Sequence, residues 1–282
     1  MTTYKTVRAF APASISCFFK AYKHKNPRWA GSYGVGFTVD GGVVATVSRN
    51  SPSHKIFFNN KPINFPTVRS VLAVLGVQPL KVELQSELPL GCGFGLSGAS
   101  ALATAYAVNK LLGLKKTNKE LAIFAHTAEV ENKTGLGDVT NQYYGGFFLK
   151  ARPSSHFIVE RLPIEHTYVY CKVFSKLLTK AILTDKSLHK TINEAADAAI
   201  LTTKQLLTGK QTILLRDIIT IAKKFVVGSR LLRHKKTQET IKQIEKKGGS
   251  ASMIILGNTV YSDIPFPGAI KLKIVSKGAH LL

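Results

Sequence analysis

The chain reads PLGCGFGLSGA over residues 89–99, and this glycine-rich stretch joins a predicted strand to a predicted helix. The glycines at positions 91, 93 and 95 allow positive φ angles and a close approach of the backbone to a ligand. A helix that starts directly behind such a loop presents unpaired amides and a partial positive charge to an anion. The stretch therefore predicts a phosphate cradle, although a plain strand-to-helix turn would use the same glycines. It is not a Walker A loop, because no Gly-Lys-Ser/Thr follows.

Hydrophobic periodicity predicts both strands and helices around this loop. Residues 81–88 alternate apolar and polar side chains, which is typical of a half-buried strand. Residues 97–112 are rich in alanine and leucine and end before Gly113, as a helix would. The other predicted strands are 7–11, 15–19, 37–39 and 43–47 (a hairpin turning at 40–42), 55–58, 167–174, 253–256, 259–262 and 270–275, and the other predicted helices are 68–75, 119–130 (capped by Asn118), 188–207, 213–225 and 237–246. This order predicts an α+β fold with two lobes.

The composition is that of a globular protein with a large excess of positive charge. The 282 residues are 45% hydrophobic and 20% charged, which excludes disordered, collagen-like and mini-protein classes. Lysine and arginine number 39 against 16 acidic residues, a net charge of +23 that calls for an anionic partner. The charge is spread evenly and is not interleaved with aromatic residues, so nucleic-acid binding is not favoured as the main role.

Cysteine usage and hydropathy bear on the compartment. Cys17, Cys92 and Cys171 lie far apart in the sequence, and no pair has the spacing of a metal site or a redox motif. They are therefore expected to be reduced structural thiols of a cytoplasmic protein. No signal-peptide pattern and no run of 18 apolar residues is found, so no membrane association is expected.

Motifs spread over nearly the full chain resemble the superfamily of galacto-, homoserine, mevalonate and phosphomevalonate kinases. The glycine loop resembles its second motif, APAS at 11–14 its first, and GGSAS at 248–252 its third. The archaeal pantoate kinases are the branch that the chain resembles best. That likeness rests on blocks at 31–36, 93–99, 125–130, 134–139 and 145–146.

This resemblance implies a fold and a reaction. The N-terminal lobe, residues 1–155, would be like ribosomal protein S5 domain 2, and the C-terminal lobe, residues 156–282, would be ferredoxin-like, with the active site between them. The implied reaction is phosphorylation of the primary hydroxyl of pantoate by ATP, for coenzyme A biosynthesis. Mevalonate, homoserine or shikimate stay open as acceptors. A basic nucleic-acid-binding protein also stays open, because S5-like lobes occur in ribosomal proteins, and a homodimer is expected by analogy alone.

By the same resemblance, the glycine loop belongs to the nucleotide. The residues implied to cradle its phosphates are Pro89, Gly91, Gly93, Phe94, Gly95, Ser97, Gly98 and Ala99. Ser97 and Glu129 would hold Mg²⁺, an ion that prefers one or two protein oxygens together with phosphates. Without the resemblance, Glu129 would be taken for an ordinary surface glutamate.

The implied catalytic set is Asp138 with Glu129 and Ser97. Asp138 would accept the proton of the substrate hydroxyl or orient that hydroxyl, whereas its ordinary interpretation is a turn aspartate. The first motif departs from that of mevalonate kinases, which carry a lysine where this chain has Ser14. The departure leaves open whether Asp138 is a true base.

A set of polar residues is implied to bind the substrate. Its members are Ser14, Ser32, His126, Lys150, Arg152 and Thr179. A carboxylate substrate needs a cation or several hydrogen-bond donors, and Lys150 and Arg152 are the candidate cations. Four of these residues also have an ordinary interpretation: a surface histidine for His126, solvated charges for Lys150 and Arg152, and a helix cap for Thr179. A zinc site at His126 and Glu129 is not favoured, because no third ligand is evident.

Overall fold

A computed structural model describes residues 5–49, 51–164, 167–177, 186–209 and 212–282. In these residues the strands are β1 Thr6–Tyr22, β2 Gly31–Ser48, β3 Lys55–Phe58, β4 Lys61–Pro62, β5 Lys81–Gln85, β6 Phe147–Lys150, β7 Glu160–Arg161, β8 Tyr168–Ser175, β9 Ala251–Met253, β10 Asn258–Ser262, β11 Ile270–Lys273 and β12 His280–Leu281. The helices are α1 Pro66–Val74, α2 Leu96–Leu112, α3 Asn118–Glu131, α4 Asp138–Tyr144, α5 Lys186–Gly209, α6 Leu215–Gly228 and α7 Lys235–Lys246, with a 3₁₀ turn at Ser154–His156. The predicted α+β class is confirmed.

The larger sheet has the order β12-β1-β2-β5-β3-β4, and β6 joins it through β2. All its pairs are antiparallel except β3 with β5. Helix α2 is buried along nearly its whole length, and its many alanines let it lie close to β1 and β2. This helix therefore holds the glycine loop at the end of β5 in a fixed place beside the central strands.

The predicted hairpin at 40–42 is wrong, because β2 runs unbroken from Gly31 to Ser48. Its partner β1 is also one strand, so the predicted segments 7–11 and 15–19 are continuous. The register passes from Pro12 opposite Gly42 to Ala13 opposite Val39, so residues 40 and 41 form a bulge. Since Pro12 has no amide proton to give to the ladder, a bulge beside it costs little pairing.

Helix α3 starts one residue earlier than the sequence predicts. Thr117, not Asn118, is the N-cap residue: its hydroxyl accepts from the Glu120 amide at 3.2 Å, and the Glu120 carboxylate accepts from the Thr117 amide at 2.7 Å. This reciprocal pair is a capping box, which fixes the first turn of the helix that carries Glu129.

The smaller sheet has the order β11-β8-β10-β9 and is wholly antiparallel. One of its faces is part of the main core, where Val169, Cys171 and Tyr261 are completely buried. Its other face is covered in part by α7, through Ile241 and Ile244. The main core is therefore shared by both sheets and by helices α1 to α6.

Among the described helices, none combines the length and the hydropathy needed to cross a lipid bilayer.

Candidate active site

The glycine loop has the backbone conformation that its sequence predicts. The φ angles of Gly91, Gly93 and Gly95 are 76°, 91° and 63°, all in the left-handed region. Gly95 is the N-cap of α2, so the unpaired amides of the first helical turn follow the loop directly. A Cβ at Gly93 would lie only 2.7 Å from Cγ2 of Ile254, so this glycine is also needed for packing. The backbone is thus arranged as an anion cradle.

A cavity opens in front of this loop, between β1, the end of α3 and the start of α4. The residues that line it are Ser16, Phe19, Ser32, Gly91, Gly93, Phe94, Gly95, Leu96, Ser97, Glu129, Thr134, Gly135, Leu136, Gly137, Asp138, Ile255 and Leu256. The cavity brings together eight of the residues implied by the resemblance. They are Ser32, Gly91, Gly93, Phe94, Gly95, Ser97, Glu129 and Asp138. In the part of the chain that the structure describes, the lining has two carboxylates and several hydroxyls but no lysine, arginine or histidine.

Glu129 is a buried carboxylate at the back of the cavity, with 2% of its surface exposed. Its Oε1 accepts a hydrogen bond from the hydroxyl of Thr134 at 2.6 Å. Burial raises the pKa of Glu129 to about 7, while hydrogen bonds from Thr134 and Ser97 act in the opposite direction. A Cβ at position 135 would overlap its Oε2, so Gly135 leaves that oxygen room.

These surroundings fit a divalent cation, because the buried Glu129 carboxylate and the Ser97 hydroxyl both line the cavity and lie within hydrogen-bonding reach of each other. The Ser97 oxygen is 3.1 Å from the hydroxyl oxygen of Thr67, which holds it in place. No group of three or more His, Cys, Asp or Glu side chains suited to a metal occurs among the described residues. The donor set therefore suits Mg²⁺, which completes its shell with phosphates and water, rather than Zn²⁺.

Asp138 is the first residue of α4 and lines the cavity beside the loop. The hydroxyl of Ser16 donates to its Oδ1 at 3.1 Å. A Cβ at Gly95 would be 3.0 Å from its carboxyl carbon, so the side chain packs against the last glycine of the loop. Burial raises the pKa of Asp138, and the positive charge of Lys150 and then the hydroxyls of Ser14 and Ser16 counteract this rise.

Lys150 and Ser14 do not line the cavity, and their binding of substrate stays a prediction. Lys150 is 2% exposed, and its Nζ donates to Oδ1 of Asn141 at 2.9 Å. Nδ2 of Asn141 in turn donates to the hydroxyl of Ser14, also at 2.9 Å. Burial lowers the pKa of Lys150 to about 8, and the negative charge of Asp138 opposes the change. Both residues lie in a buried network behind Asp138.

His126 and Arg152 lie outside the cavity as well. His126 is 1% exposed, its Nε2 is 2.8 Å from the carbonyl oxygen of Ala30, and Phe157 contacts its ring edge-on. Burial lowers its pKa to about 4, so the neutral ring donates to that carbonyl and ties α3 to the start of β2. Arg152 is exposed. Thr179 is outside the described residues.

Three residues of the predicted cradle set lie outside the cavity. Pro89, Gly98 and Ala99 do not line it. Gly98 faces inward: a Cβ there would be 2.9 Å from Oε1 of Gln142 and 3.2 Å from Oε2 of Glu129. Ala99 is completely buried on α2 and gives its amide to the carbonyl of Gly95. Gly98 and Ala99 therefore contribute to packing, whereas Pro89 is exposed.

Three polar residues of the site were not predicted from the sequence: Ser16, Thr134 and Asn141. Ser16 is two residues after Ser14 on β1, so strand alternation could have placed both hydroxyls on one face. Asn141 follows Asp138 by three residues, which could have placed both on one face of a helix. Thr134 begins the block at 134–139, but nothing in the sequence shows that its hydroxyl turns back to Glu129.

Comparison with known proteins places the chain in a family. A family model, GHMP kinases N terminal domain, matches residues 64–146. The pantoate kinase of Methanocaldococcus jannaschii is 34% identical over 257 residues, covering 89% of this chain and 90% of that protein. The pantoate kinase of Methanospirillum hungatei is 28% identical, covering 91% and 86%.

Solved structures agree on the fold. A phosphotransferase related to the coenzyme A biosynthesis pathway superposes with a TM-score of 0.82 at 24% identity, covering 98% of both chains. The homoserine kinase of Cytophaga hutchinsonii superposes with a TM-score of 0.70 at 20% identity, covering 100% of this chain and 99% of that one. From its sequence relatives, then, the chain belongs to the pantoate kinase family.

Proposed function

We propose that the protein transfers the γ-phosphoryl group of ATP to the primary hydroxyl of pantoate, giving 4-phosphopantoate for coenzyme A biosynthesis. Kinases of this family depend on ATP. The observation that carries the proposal is the cavity itself. A left-handed glycine loop at a helix N-terminus faces the buried carboxylate of Glu129 and the half-buried carboxylate of Asp138 across a space lined with hydroxyls.

The loop amides of residues 91–97 would bind the phosphates, and Ser97 with Glu129 would hold Mg²⁺. A bound Mg²⁺ neutralises charge that develops on the phosphate oxygens. Ser97 is supported by Thr67 and Glu129 by Thr134, so both donor oxygens are positioned before any nucleotide arrives. Positioned donors matter here, because phosphoryl transfer depends mainly on alignment and charge neutralisation.

Asp138 would act on the substrate hydroxyl. The hydroxyl oxygen attacks the γ-phosphorus, the bond from that phosphorus to the bridging oxygen breaks, and ADP leaves. Asp138 receives the hydroxyl proton, or orients the hydroxyl so that its proton leaves after the transfer. The Ser16 hydroxyl donates to Oδ1 of Asp138 and so helps to fix the carboxylate at the cavity wall.

The substrate carboxylate would be bound by hydroxyls and backbone amides instead of by Lys150 or Arg152. Ser16 and Ser32 both line the cavity beside the start of α4: Ser16 donates to Asp138, and a Cβ at Gly137 would overlap the Ser32 oxygen. Several neutral donors can replace one cation at a carboxylate. Thr179 remains a predicted substrate residue.

The wider assignments are proposals of the same kind. The division into an S5-like lobe, residues 1–155, and a ferredoxin-like lobe, residues 156–282, fits the two sheets, although β12 returns to the first sheet. We also propose a cytoplasmic location and a homodimer, both by analogy with the family.

A coupled ADP-release assay with Mg-ATP tests the function. The acceptors are pantoate, mevalonate, homoserine and shikimate, each at the same concentration. Turnover with pantoate alone is the expected result. Turnover with another acceptor would keep the phosphate loop and overturn the substrate assignment, and no turnover with any acceptor would overturn the kinase proposal.

A further inference from the structure

We infer that Lys150 is a positioning residue, whose buried ammonium acts through Asn141 and Ser14 to keep the Asp138 carboxylate ionised and fixed. The inference rests on the proposed function, because Asp138 has its task in the phosphoryl transfer. It gives Lys150 a role other than contact with the substrate.

The side chain of Lys150 lies inside the protein and outside the cavity. It is the last residue of β6 and pairs with Gly34 of β2, so its side chain starts from the middle of the sheet. The side chain is 2% exposed and is absent from the cavity lining. A buried ammonium is costly unless it is paired and hydrogen-bonded, so its retention here calls for a partner charge.

The hydrogen bonds from Lys150 to Ser14 each have a fixed donor and acceptor. An ammonium can only donate, so Asn141 must turn its Oδ1 toward Lys150. Its Nδ2 must then face the other way, where it donates to the Ser14 oxygen at 2.9 Å. The Ser14 hydroxyl accepts that bond and keeps its own proton for the neighbouring Asp138. Lys150 thus sets the direction of every bond in the chain that ends at Asp138.

The side chains of Lys150 and Asn141 occupy space that a side chain at a neighbouring glycine would need. A Cβ at Gly36 would overlap Nδ2 of Asn141, and a Cβ at Gly137 would lie 3.5 Å from Nζ of Lys150. Two glycines therefore border the two side chains. Asn141 and Asp138 are three residues apart on α4, so the same helical turn presents both to β1.

The positive charge of Lys150 is balanced by the negative charge of Asp138. The titratable groups that face the Lys150 ammonium are Asp138 on α4 and Cys17 on β1, and Glu129 on α3 faces Asp138 in turn. Burial raises the pKa of Cys17 to about 12, so this thiol stays neutral. Lys150 is then the buried countercharge of the half-buried Asp138 carboxylate, and loss of either group leaves the charge of the other uncompensated.

The expected pH behaviour follows from both charges. Activity requires ionised Asp138, which is lost as pH falls, and charged Lys150, which is lost as pH rises. Because burial lowers the pKa of Lys150 to about 8, kcat should decline above about pH 8. Replacement by arginine, which does not titrate in this range, should move that decline to higher pH.

The experiment compares Lys150→Gln, Lys150→Arg and the surface control Lys247→Met in the full chain. The readouts are kcat and the two KM values from pH 5.5 to 10, with thermal melting and nucleotide binding as folding controls. We expect Lys150→Gln to lower kcat at least about tenfold, to change the KM for ATP less than about threefold, and to move the acid limb to higher pH. Lys150→Arg should retain more of kcat, and Lys247→Met should match the wild type.

A second variant covers the case in which Lys150→Gln does not fold. Asn141→Asp keeps the volume and a partner for Lys150 but cannot donate to Ser14, so the acid limb should move in the same direction. Wild-type kcat and an unmoved acid limb in the folded variants would overturn the inference. So would a rise confined to the KM for pantoate, because that is the signature of a substrate contact. A wild type without turnover on pantoate would instead overturn the proposed function.

Discussion

Glu129 is buried and Asp138 is half-buried, and their contacts give the two carboxylates different tasks. The Asp138 carboxylate accepts from the Ser16 hydroxyl of β1, whereas the Glu129 carboxylate accepts from the Thr134 hydroxyl and lies beside Ser97. Asp138→Asn should therefore lower kcat by about 10²–10⁴ and leave the Kd for ATP within about threefold. Steady-state ADP release and calorimetric titration with nucleotide measure the two quantities.

Asp40→Asn is the matched control for this change, because Asp40 is an exposed aspartate of the β2 bulge. It should leave both quantities near those of the wild type. Substantial kcat in Asp138→Asn would show that Asp138 has no part in the chemistry.

Glu129 should reduce the stability of the protein at alkaline pH when metal and nucleotide are absent. Burial raises its pKa in the folded state to about 7, above the ordinary value of 4.5. The folded state then binds more protons than the unfolded state between these two values, so stability falls as pH rises through that window. Glu129→Gln should raise the free energy of unfolding by about 2 kcal/mol at pH 8 and change it little at pH 4.

Urea denaturation with EDTA at the two pH values checks this. Equal effects of Glu129→Gln at pH 4 and pH 8 would contradict the assignment of a raised pKa.

At the residue scale, the sequence could predict the types of residue in the cavity but not the burial of each one. Ser97, Glu129 and Asp138 reach the cavity because each lies at a helix or loop end that the glycines mark. Lys150 and His126 were expected in the same site. Their partners Asn141 and Ala30 lie on other elements, so their hydrogen bonds depend on tertiary packing that no local pattern reveals.

At the scale of elements, the glycine loop allows a matched pair of substitutions. Gly91 and Gly93 both have positive φ, so alanine strains the backbone at each by about 1–2 kcal/mol. A Cβ at Gly91 would find no atom closer than 3.6 Å, whereas at Gly93 it would press on Ile254 and on the carbonyl of Ile255. Gly93→Ala should therefore lower Tm more than Gly91→Ala and raise the KM for ATP at least about tenfold.

Thermal melting and ATP titration of both variants test this difference. Equal changes in Tm and KM would mean that contact with the residue 254–255 segment does not shape the loop.

The elements also show which predictions fail without knowledge of partners. Helix α2 was predicted closely, because its composition and Gly113 are local signals. The glycines at 41 and 42 also looked like a local signal, for a hairpin turn. The structure uses them differently because β1 and β2 pair over their whole length, and Gly42 lies opposite Pro12. Strand pairing between distant segments decides between a turn and a bulge.

At the scale of the whole molecule, the net charge of +23 acts on stability as well as on ligands. Even if each of the 16 acidic side chains paired with one cation, 23 lysines and arginines would lack an acidic partner. Ion pairs such as Lys20 with Asp197 at 2.7 Å and Lys223 with Glu245 at 2.5 Å can offset only part of this repulsion. Added salt screens charges separated by more than about 10 Å at 0.1 M, so it weakens the long-range repulsion more than these short contacts.

Tm should consequently rise by a few degrees between 0.02 and 0.3 M NaCl, in the absence of nucleotide. Lys246→Glu, at an exposed position on α7, should raise Tm at low salt and reduce the effect of salt, because it removes two units of net charge. Differential scanning calorimetry at matched pH measures both effects. A Tm that falls with NaCl would instead mean that ion pairs, which salt weakens, outweigh the repulsion among the excess cations.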